Sequence, residues 1–373
     1  MLHIVRVTIR EIRLPLVEPF QISSGTMVAR RIGLVELEDA SGATSWSECV
    51  ADDLPNYLPE TIDMAWLSMS RWVIPRVLGQ PFNAPGEVHA ALERDFRGHQ
   101  MAKAAIEMGM WGVEAERMGI PLARLIGGTR EEVDVGISLG IQASPEALVE
   151  KARAALAQGY RKVKIKIKPG KDIAYVRAVR EAFPKAPLMA DANNAYTLDE
   201  CDSLISMDEL GLMMIEQPLA WDDVVRHADL QKRLKTPICL DESITNLEKA
   251  QDMVRLGSGR IINIKPGRVG GFSSSIAIHD YCESNGIPVW CGGMLESGIG
   301  RAYNIALASL PNFHKPGDLS PSARYWAQDI VTPEWTMTPH GTAKVPLDKP
   351  GIGVQVDRNR IEDLTVRQET FRA

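Results

Sequence analysis

The sequence has few cysteines and no pair of them at metal-ligand spacing. Its five cysteines are scattered over 373 residues, and no two are separated by two residues only. An odd number at wide spacing argues against a disulfide framework and against a structural zinc site. We therefore expect reduced thiols and a cytoplasmic protein.

Long hydrophobic runs and an excess of basic charge are also missing. No window approaches 18 uncharged apolar residues, so no transmembrane helix is expected. The first residues, MLHIVRVTIREIRLPL, alternate apolar and charged positions, which is typical of a strand and not of a signal peptide. The formal net charge of −6 gives no electrostatic reason to expect a nucleic acid or a membrane surface as partner.

Nucleotide-binding and zinc-protease motifs are absent as well. No GxGxxG follows a strand-like segment, and Gly170-Lys171 is followed by Asp172, which breaks the P-loop pattern. The seven histidines are scattered without an HExxH. These absences argue against dinucleotide-dependent enzymes, P-loop NTPases and zinc proteases.

The composition that remains is that of a soluble globular protein with room for two domains. Apolar residues make up 45% and charged residues 24% of the chain. Residues 1–130 begin with strands, include a long connection around residues 23–25, and continue with helical periodicity, which predicts an α+β domain. That connection is either a solvated loop or a lid. Residues 331–373 are rich in Pro and Gly, and we expect them to return to this first domain.

From Val133 onward, strands alternate with helices seven times. The segment VDVGISLGI predicts the first strand, and Ser144 is the expected N-cap of the first helix. Alternation of this kind predicts a parallel sheet, and seven units suit a closed barrel better than a doubly wound sheet. The predicted fold class is therefore α/β, with a (β/α)7β TIM-like barrel over residues 131–330 and a last short strand near residues 317–319.

One charged residue recurs at or near the end of five successive predicted strands. These residues follow one another at intervals of 25, 25, 25 and 24, and they are Lys166, Asp191, Glu216, Asp241 and Lys265. Charges inside apolar runs are costly unless they are paired or bound to metal. Because barrel active sites lie at the carboxyl ends of the strands, the spacing predicts one shared site.

The three acidic residues of this series, at positions 191, 216 and 241, predict a metal site. Any one of them could instead cap a helix or form a salt bridge. Three convergent carboxylates raise one another's pKa unless a cation lies between them. All-oxygen ligation favours Mg²⁺, with Mn²⁺ or another divalent ion as alternatives.

The two lysines of the series, Lys166 and Lys265, flank the acids and predict a pair of bases. Lys164 shares a strand face with Lys166 and is expected to lower its pKa. The other interpretation of KVKIKIKPGK is a solvated edge strand, but a buried strand with acidic partners fits the neighbouring carboxylates better. A metal beside two lysines indicates abstraction of the proton α to a carboxylate, which gives an enediolate and then racemisation or elimination.

Several longer segments resemble one family of the enolase superfamily. They are KIKPGKD, ADANNAYTL, IEQPLAWDD, NIKPGRVGG, CGGMLESGIGRAYNIALASL and PGDLSPSARYW. They look like the o-succinylbenzoate synthase / N-succinylamino acid (N-acylamino acid) racemase family of the muconate-lactonising-enzyme subgroup. The resemblance implies a capping domain over a (β/α)7β barrel, syn dehydration in menaquinone biosynthesis, racemisation of N-acylated amino acids, and a homo-oligomer, either a dimer or an octamer.

The same resemblance implies roles for individual residues. Lys166 and Lys265, with Lys164 beside them, are the catalytic lysines. In dehydration Lys166 is the base, and the cation of Lys265 stabilises the enediolate. Residues 19–29 correspond to a lid. The expected substrate-binding residues are Ser138, Asn193, Glu242, Arg268, Met294, Leu295 and Ser297.

Other members of the subgroup supply the alternative functions. Dipeptide epimerases carry a DxD pair where this chain has Asp318-Leu319-Ser320, which weakens that interpretation. Arg268 is typical of members with racemase activity, or else it forms a salt bridge at the rim. The family often has His at the position of Tyr303 and a basic residue at that of Gln21. A cycloisomerase, and a catalytically silent barrel used for binding, are the remaining alternatives.

Overall fold

A computed structural model of the chain describes residues 1–22 and 25–373. The strands are β1 Leu2–Ile22, β2 Gly25–Asp39, β3 Thr44–Cys49, β4 Pro81–Phe82, β5 Glu132–Asp134, β6 Gly136–Leu139, β7 Lys162–Lys166, β8 Leu188–Asp191, β9 Ile215–Glu216, β10 Ile238–Leu240, β11 Ile261–Ile264, β12 Val289–Cys291, β13 Val331–Thr332, β14 Thr342–Lys344, β15 Gln355–Val356 and β16 Thr365–Arg372. The helices are α1 Ile62–Ser68, α2 Gly86–Glu93, α3 Gln100–Met118, α4 Leu122–Leu125, α5 Pro145–Ala157, α6 Ile173–Ala182, α7 Asp202–Ser206, α8 Val225–Arg233, α9 Leu247–Leu256, α10 Phe272–Ser284, α11 Gly298–Ala308 and α12 Arg358–Leu364.

The N-terminal strands form an antiparallel sheet, which we call the capping sheet. Its order is β16-β1-β2-β3, and β4 pairs with the start of β1. Each face of this sheet contributes buried residues to a core cluster. Ile12 and Leu34 belong to one core cluster, and Ile9 and Val35 belong to another that includes much of α3. The C-terminal strand β16 therefore packs beside the N-terminal strand β1.

The long connection predicted between the first two strands is mostly strand. β1 and β2 stay paired as far as Phe20 with Met27 and Gln21 with Thr26, after an irregularity between Pro15 and Phe20. The prediction of a loop across this segment was therefore wrong for its described residues. The turn-forming residues gave a local loop signal that cross-strand pairing overrode. The predicted centre of the connection, at residues 23–24, lies outside the described residues.

Seven strands form a parallel sheet in the order β12-β11-β10-β9-β8-β7-β6. Each of these strands is short and buried on both faces, as expected for a parallel sheet covered by helices. The seven predicted strand–helix repeats are thus present. Ser144 caps α5 as predicted, with its side chain accepting from Ala147 N at 3.3 Å.

Two predicted elements differ in detail. The first predicted strand divides into β5, which pairs with β14, and β6, which belongs to the parallel sheet. The predicted helix over residues 197–210 contains only the short α7 with 3-10 turns on both sides. In both places pairing or packing with distant residues changes a locally continuous pattern.

The segment around Gly317 lies between the two edges of the parallel sheet. Gly317 N donates to Asp134 O at 3.0 Å, and Gly136 N donates to Gly317 O at 2.6 Å. On the other side, Asp318 N donates to Cys291 O at 2.9 Å. The backbone of residues 317–318 therefore contacts the chain beside β6 and at the end of β12.

Two expectations from composition can be compared with the structure. All five cysteines are buried and free, so the prediction that they form no disulfide is confirmed. Within residues 1–22 and 25–373, none of the helices combines the length and apolar character needed to cross a membrane.

Candidate active site

The five regularly spaced charged residues lie at the carboxyl ends of five neighbouring strands. Lys166, Asp191 and Glu216 are the last residues of β7, β8 and β9, while Asp241 and Lys265 directly follow β10 and β11. The parallel register places Lys166 beside Asp191 and Asp191 beside Glu216. All five side chains are buried, so their charges interact without much screening by water.

The ammonium group of Lys166 is held by two acceptors from the neighbouring strand end. Its Nζ lies 2.6 Å from Asp191 Oδ2 and 2.6 Å from Asn193 Oδ1. Asn193 has a left-handed backbone with φ of 41°, and its Nδ2 donates to Glu242 Oε1 at 3.0 Å. This left-handed conformation places the side-chain amide of Asn193 between Lys166 and Glu242.

Lys265 lies on the other side of the carboxylates and is held by a residue from each domain. Its Nζ lies 2.8 Å from Asp241 Oδ2 and 3.0 Å from the hydroxyl of Tyr57, which in turn donates to Asp241 Oδ1 at 3.0 Å. Burial alone would lower the pKa of Lys265, but the Asp241 charge raises it well above its usual value. Arg268 also pairs with Asp241 and donates from Nε to Ile244 O at 2.7 Å.

Lys164 is buried between carboxylates. Its Nζ lies 2.5 Å from Asp318 Oδ2 and 3.3 Å from oxygens of both Asp191 and Glu216. Burial disfavours its charge, but these three acids hold the pKa of Lys164 well above its usual value. Every residue of β7 is buried, which contradicts the alternative of a solvated edge strand.

The third lysine of β7 continues this network into the interior. Lys162 Nζ lies 3.1 Å from Asp318 Oδ1 and 3.5 Å from the centroid of the Trp290 ring. A cation over an indole face is stabilised by the ring quadrupole. Asp318 therefore pairs with two buried lysines, Lys162 and Lys164.

The three carboxylates form a buried oxygen-rich group. Glu216 Oε1 accepts from Asn263 Nδ2 at 2.6 Å. Burial, followed by the charges of Asp191 and Asp241, raises the pKa of Glu216 well above its usual value. Among the described residues, Glu242 Oε2 is a buried oxygen without a hydrogen-bond partner beside this group. The donor set is all oxygen and suits a hard divalent cation.

A second group of potential metal ligands lies outside the site. The ligand atoms of His279, Asp280 and Glu283 all lie within 4.8 Å of one another on α10. The two acidic residues of this group are exposed, and such clusters are common on protein surfaces. Nothing further in the structure distinguishes them from solvated side chains.

One cavity of about 400 Å³ lies between the capping sheet and the strand ends. The parallel-sheet side contributes Lys166, Asn193, Lys265, Gly293, Met294 and Leu295. The capping sheet and the segment after β3 contribute Arg13, Phe20, Gly25, Thr26, Met27, Val28, Ala29, Asp52, Asp53, Leu54, Asn56 and Tyr57. Both predicted bases thus face one cavity, and its lining is mainly apolar.

The predicted substrate-binding residues divide into two sets. Those that line the cavity are Asn193, Met294 and Leu295. Leu295 has φ of 54°, a left-handed conformation that is costly for such a residue and often found at functional sites. Those that do not line the cavity are Ser138, Glu242, Arg268 and Ser297.

Ser297 has a structural role in place of the expected contact with substrate. It is fully buried and caps α11, accepting from Ile299 N at 3.3 Å. Its hydroxyl donates to Glu48 Oε2 at 2.6 Å, and Gly300 N donates to the same oxygen at 3.1 Å. Glu48 belongs to β3, so this contact joins the capping sheet to α11.

The two positions that depart from the family pattern also lie away from the cavity lining. Tyr303 is buried in α11 and donates from its hydroxyl to Trp46 O at 2.9 Å. The carbonyl of Gln21 accepts from Ile141 N at 3.1 Å. Neither side chain belongs to the lining of the cavity.

Sequence reasoning missed three residues of the network. Asn263 is two positions before Lys265 on the same strand face, so strand periodicity could have identified it. In the sequence, Asp318 was identified only as part of the last predicted strand and of the comparison with the DxD pair of dipeptide epimerases. No local sequence pattern predicts that it pairs with Lys164. Tyr57 is distant in sequence and lies in a segment without a motif.

The capping sheet lies over lysines and carboxylates at the carboxyl edge of the parallel sheet. This arrangement defines a class of two-domain α/β enzymes whose site lies between the domains. The chain belongs to the mandelate racemase / muconate lactonizing enzyme family of the enolase superfamily. Its residues 4–127 match the model "Mandelate racemase / muconate lactonizing enzyme, N-terminal domain", and residues 147–360 match "Enolase C-terminal domain-like".

Close relatives carry two activity names. The chain is 48% identical to an o-succinylbenzoate synthase of Geobacillus kaustophilus, over 99% of this chain and 98% of the relative. It is 46% identical to an N-succinylamino acid racemase of Thermus thermophilus, over 98% of both chains. A crystal structure of an enolase superfamily member from Listeria innocua superposes with a TM-score of 0.96 at 41% identity, covering 100% of each chain. The predicted family is confirmed.

Proposed function

We propose that this enzyme abstracts the proton α to a substrate carboxylate, and that it acts as an o-succinylbenzoate synthase, an N-succinylamino acid racemase, or both. The observation that carries the proposal is the placement of Lys166 and Lys265 in one cavity, from strands on either side of three buried carboxylates. The names of the relatives at 46% and 48% identity support the same two activities.

The two lysines act from opposite sides of the substrate. In racemisation, one lysine in its neutral form takes the α-proton, and the other, as the ammonium, delivers a proton to the opposite face. The roles exchange for the other enantiomer. In dehydration Lys166 takes the α-proton, and the resulting ammonium returns that proton to the hydroxyl β to the carboxylate, which leaves as water as the double bond forms. Asp191 and Asn193 orient Lys166, while Asp241 and Tyr57 orient Lys265.

The residues proposed to hold a divalent cation, Mg²⁺ in the first place, are Asp191, Glu216 and Asp241. Their fit rests on an all-oxygen donor set, burial, and the raised pKa of Glu216 between two like charges. A cation held there would supply Lewis-acid stabilisation of the negative charge that develops on the substrate carboxylate.

Dipeptide epimerisation is less well supported than these two reactions. The acidic residue available near the last strand is Asp318, and it is buried and paired with Lys162 and Lys164. It does not line the cavity, so it offers no carboxylate there for the free α-ammonium of a dipeptide. An N-acylated amino acid has no such ammonium and needs no such partner.

Exchange of the α-proton with solvent deuterium tests the two-base mechanism. We expect wild type to exchange the α-proton of both enantiomers of an N-succinylamino acid. Lys166→Ala and Lys265→Ala should each abolish racemisation, with at least a hundredfold loss of kcat. Each variant should retain exchange with the enantiomer whose proton faces the remaining lysine.

An exposed lysine provides the matched control. Lys232→Ala removes an exposed ammonium group on α8 that pairs with the exposed Asp229 at 3.0 Å, and it should keep wild-type turnover. Near-wild-type racemisation by either active-site variant would show that the two-base scheme is wrong. Loss of exchange with both enantiomers in both variants would also contradict it, provided that the variants remain folded.

We infer further that the parallel sheet closes into a (β/α)7β barrel over residues 131–330, with residues 1–130 and 331–373 contributing to the capping domain. The backbone hydrogen bonds of residues 317–318 with both edges of the sheet support closure, and the pairing of β16 with β1 supports the return of the C-terminal segment. A cytoplasmic location and a homo-oligomer remain proposals, the latter testable by light scattering.

A further inference from the structure

An arginine of the capping sheet lines the cavity that holds the two lysines. Arg13 lies on β1, directly opposite Arg31 on β2, and its side chain is exposed. It shares the cavity lining with Lys166 and Lys265. The cavity therefore has a cation contributed by the capping sheet in addition to the lysines at the strand ends.

The neighbouring arginines have acidic partners. Arg31 Nε lies 2.6 Å from Glu11 Oε1, and Arg31 Nη2 lies 2.9 Å from Asp63 Oδ1. Arg367 of β16 shares both acids, at 2.6 Å and 2.8 Å. Two arginines and two carboxylates thus neutralise one another on this face of the sheet. The side chain of Arg13 forms no ion pair or hydrogen bond with any residue that the structure describes.

The acidic residues of the cavity lining do not neutralise Arg13 either. Asp52 pairs with the buried Arg30, and Asp53 Oδ1 lies 3.9 Å from Arg31 Nε. The lysines of the lining are paired with Asp191 and Asp241. Within the described part of the lining, Arg13 is thus the cation left without a carboxylate.

The remainder of the lining shows what kind of ligand this cation suits. Phe20, Met27, Val28, Leu54 and Met294 provide apolar contact surface. A guanidinium offers two parallel N–H donors that match the two oxygens of a carboxylate. A ligand with a short alkyl spacer and a carboxylate at its far end would use both features.

We propose that Arg13 binds a second carboxylate of the substrate, at the far end of an acyl group whose other end carries the reacting centre. Arg13 would thereby be the residue that selects dicarboxylate substrates, such as N-succinyl compounds, over monocarboxylates of otherwise similar structure. The inference rests on the proposed function, because the reacting carboxylate must lie near Lys166 and Lys265.

Calorimetric binding of two achiral probes tests this role. N-succinylglycine and N-acetylglycine share the glycine carboxylate and the amide, but only the first has a distal carboxylate. In buffer with Mg²⁺, we expect wild type to bind N-succinylglycine at least tenfold more tightly. Arg13→Met should reduce that preference by about 10- to 100-fold, as expected for the loss of a charge-assisted hydrogen-bonded pair. Arg13→Lys should lie between the two, because it keeps the charge without the planar fork.

Two comparisons exclude indirect effects. Arg153→Met removes one positive charge from the exposed surface of α5, and it should leave the preference unchanged. Arg13→Met should unfold at the same temperature as wild type, because it removes no described polar contact. The proposal is overturned if wild type shows no preference, if Arg13→Met retains it, or if Arg13→Met weakens both probes equally.

The binding assay separates this proposal from the proposed function. Failure of the proposed function would appear as absence of α-proton exchange in wild type, whereas the probes report recognition of the distal carboxylate without turnover. Exchange by wild type together with an unchanged preference in Arg13→Met would overturn only the role of Arg13. If Arg13→Met loses the preference but wild type shows no α-proton exchange, only the proposed abstraction of the α-proton is overturned.

Discussion

Lys265 depends on a residue from outside the parallel sheet. Tyr57 follows the capping sheet, yet its hydroxyl accepts from Lys265 and donates to Asp241. Burial and the adjacent Asp241 charge raise the pKa of Tyr57, so the phenol remains protonated and keeps both contacts. The side chain of Lys265 is therefore held both by Asp241 and by a residue that follows the capping sheet.

Replacing Tyr57 by Phe should lower kcat and should also lower the free energy of unfolding by roughly 1–3 kcal/mol, because a buried hydroxyl that contacts charged groups is lost. The variant keeps the ring that lies 4.5 Å from Lys265 Nζ but loses the hydroxyl. We expect kcat to fall by about 10- to 100-fold, because Lys265 loses the hydrogen bond to the hydroxyl that helps to orient it. Steady-state racemisation kinetics, with KM measured separately from kcat, would show it.

Tyr303→Phe is the matched control for this prediction. It also removes a buried phenolic hydroxyl, but one that donates to Trp46 O and not to a site residue. We expect it to lower the free energy of unfolding by about 1 kcal/mol and to leave kcat unchanged. Equal losses of kcat in both variants would indicate a general loss of packing and contradict a specific role for Tyr57.

At the scale of single elements, local sequence was sufficient for the strand-end residues and insufficient for their partners. Asp191 and Glu216 could be placed because each ends an apolar strand followed by a helix, which is a pattern within 25 residues. Tyr57 reaches Lys265 across 208 positions of sequence, and no local pattern encodes such a contact. The same reason explains the division between β5 and β6, since β5 pairs with the distant β14.

The contact between β3 and α11 joins two elements through one carboxylate. Glu48 accepts from the backbone and hydroxyl of Ser297 and from Gly300 N at the start of α11. These donors favour the charged carboxylate, since a helix N-terminus attracts negative charge. Burial works against the charge and prevails, raising the pKa of Glu48 to about 7.

This raised pKa predicts a specific dependence of stability on pH. The ordinary value for Glu48 is 4.5, so between that pH and about 7 the folded protein retains a proton that the unfolded chain releases. The contribution of Glu48 to stability is therefore fully present below the lower value and is lost as pH rises through the window. Glu48→Gln cannot titrate, so its stability relative to wild type should increase across this window, by up to about 3 kcal/mol.

Urea unfolding of both proteins at several pH values measures this difference. Glu150→Gln, which alters an exposed carboxylate of α5, serves as control and should follow wild type at every pH. A constant difference between Glu48→Gln and wild type from pH 4.5 to pH 7 would contradict the raised pKa.

At the scale of the whole molecule, the site contains equal numbers of buried acidic and basic side chains. Its carboxylates are Asp191, Glu216, Asp241, Glu242 and Asp318. Its cations are Lys162, Lys164, Lys166, Lys265 and Arg268. Because direct ion pairs link most of these groups, the network already compensates much of the cost of burying them.

This balance predicts that a divalent cation is needed for activity and not for folding. Treatment with EDTA should abolish turnover, because the proposed mechanism places a Lewis-acidic cation at the carboxylates of positions 191, 216 and 241. The far-ultraviolet circular dichroism should remain unchanged. Restoring Mg²⁺ at about 100 times its Kd adds only about 2.7 kcal/mol to the free energy of unfolding, so the midpoint of thermal unfolding should rise by several degrees at most.

Asp241→Asn distinguishes this charge balance from a simple requirement for metal. The substitution keeps the shape of the side chain but leaves Lys265 and Arg268 without their shared buried carboxylate, so we expect unfolding at lower temperature even when Mg²⁺ is present. Wild type with EDTA should therefore be more stable than Asp241→Asn with Mg²⁺. If chelation unfolds wild type, the ion pairs are not sufficient for folding without the cation. If wild type with EDTA turns over substrate at its normal rate, the cation is not needed for the reaction. Either result would contradict this prediction.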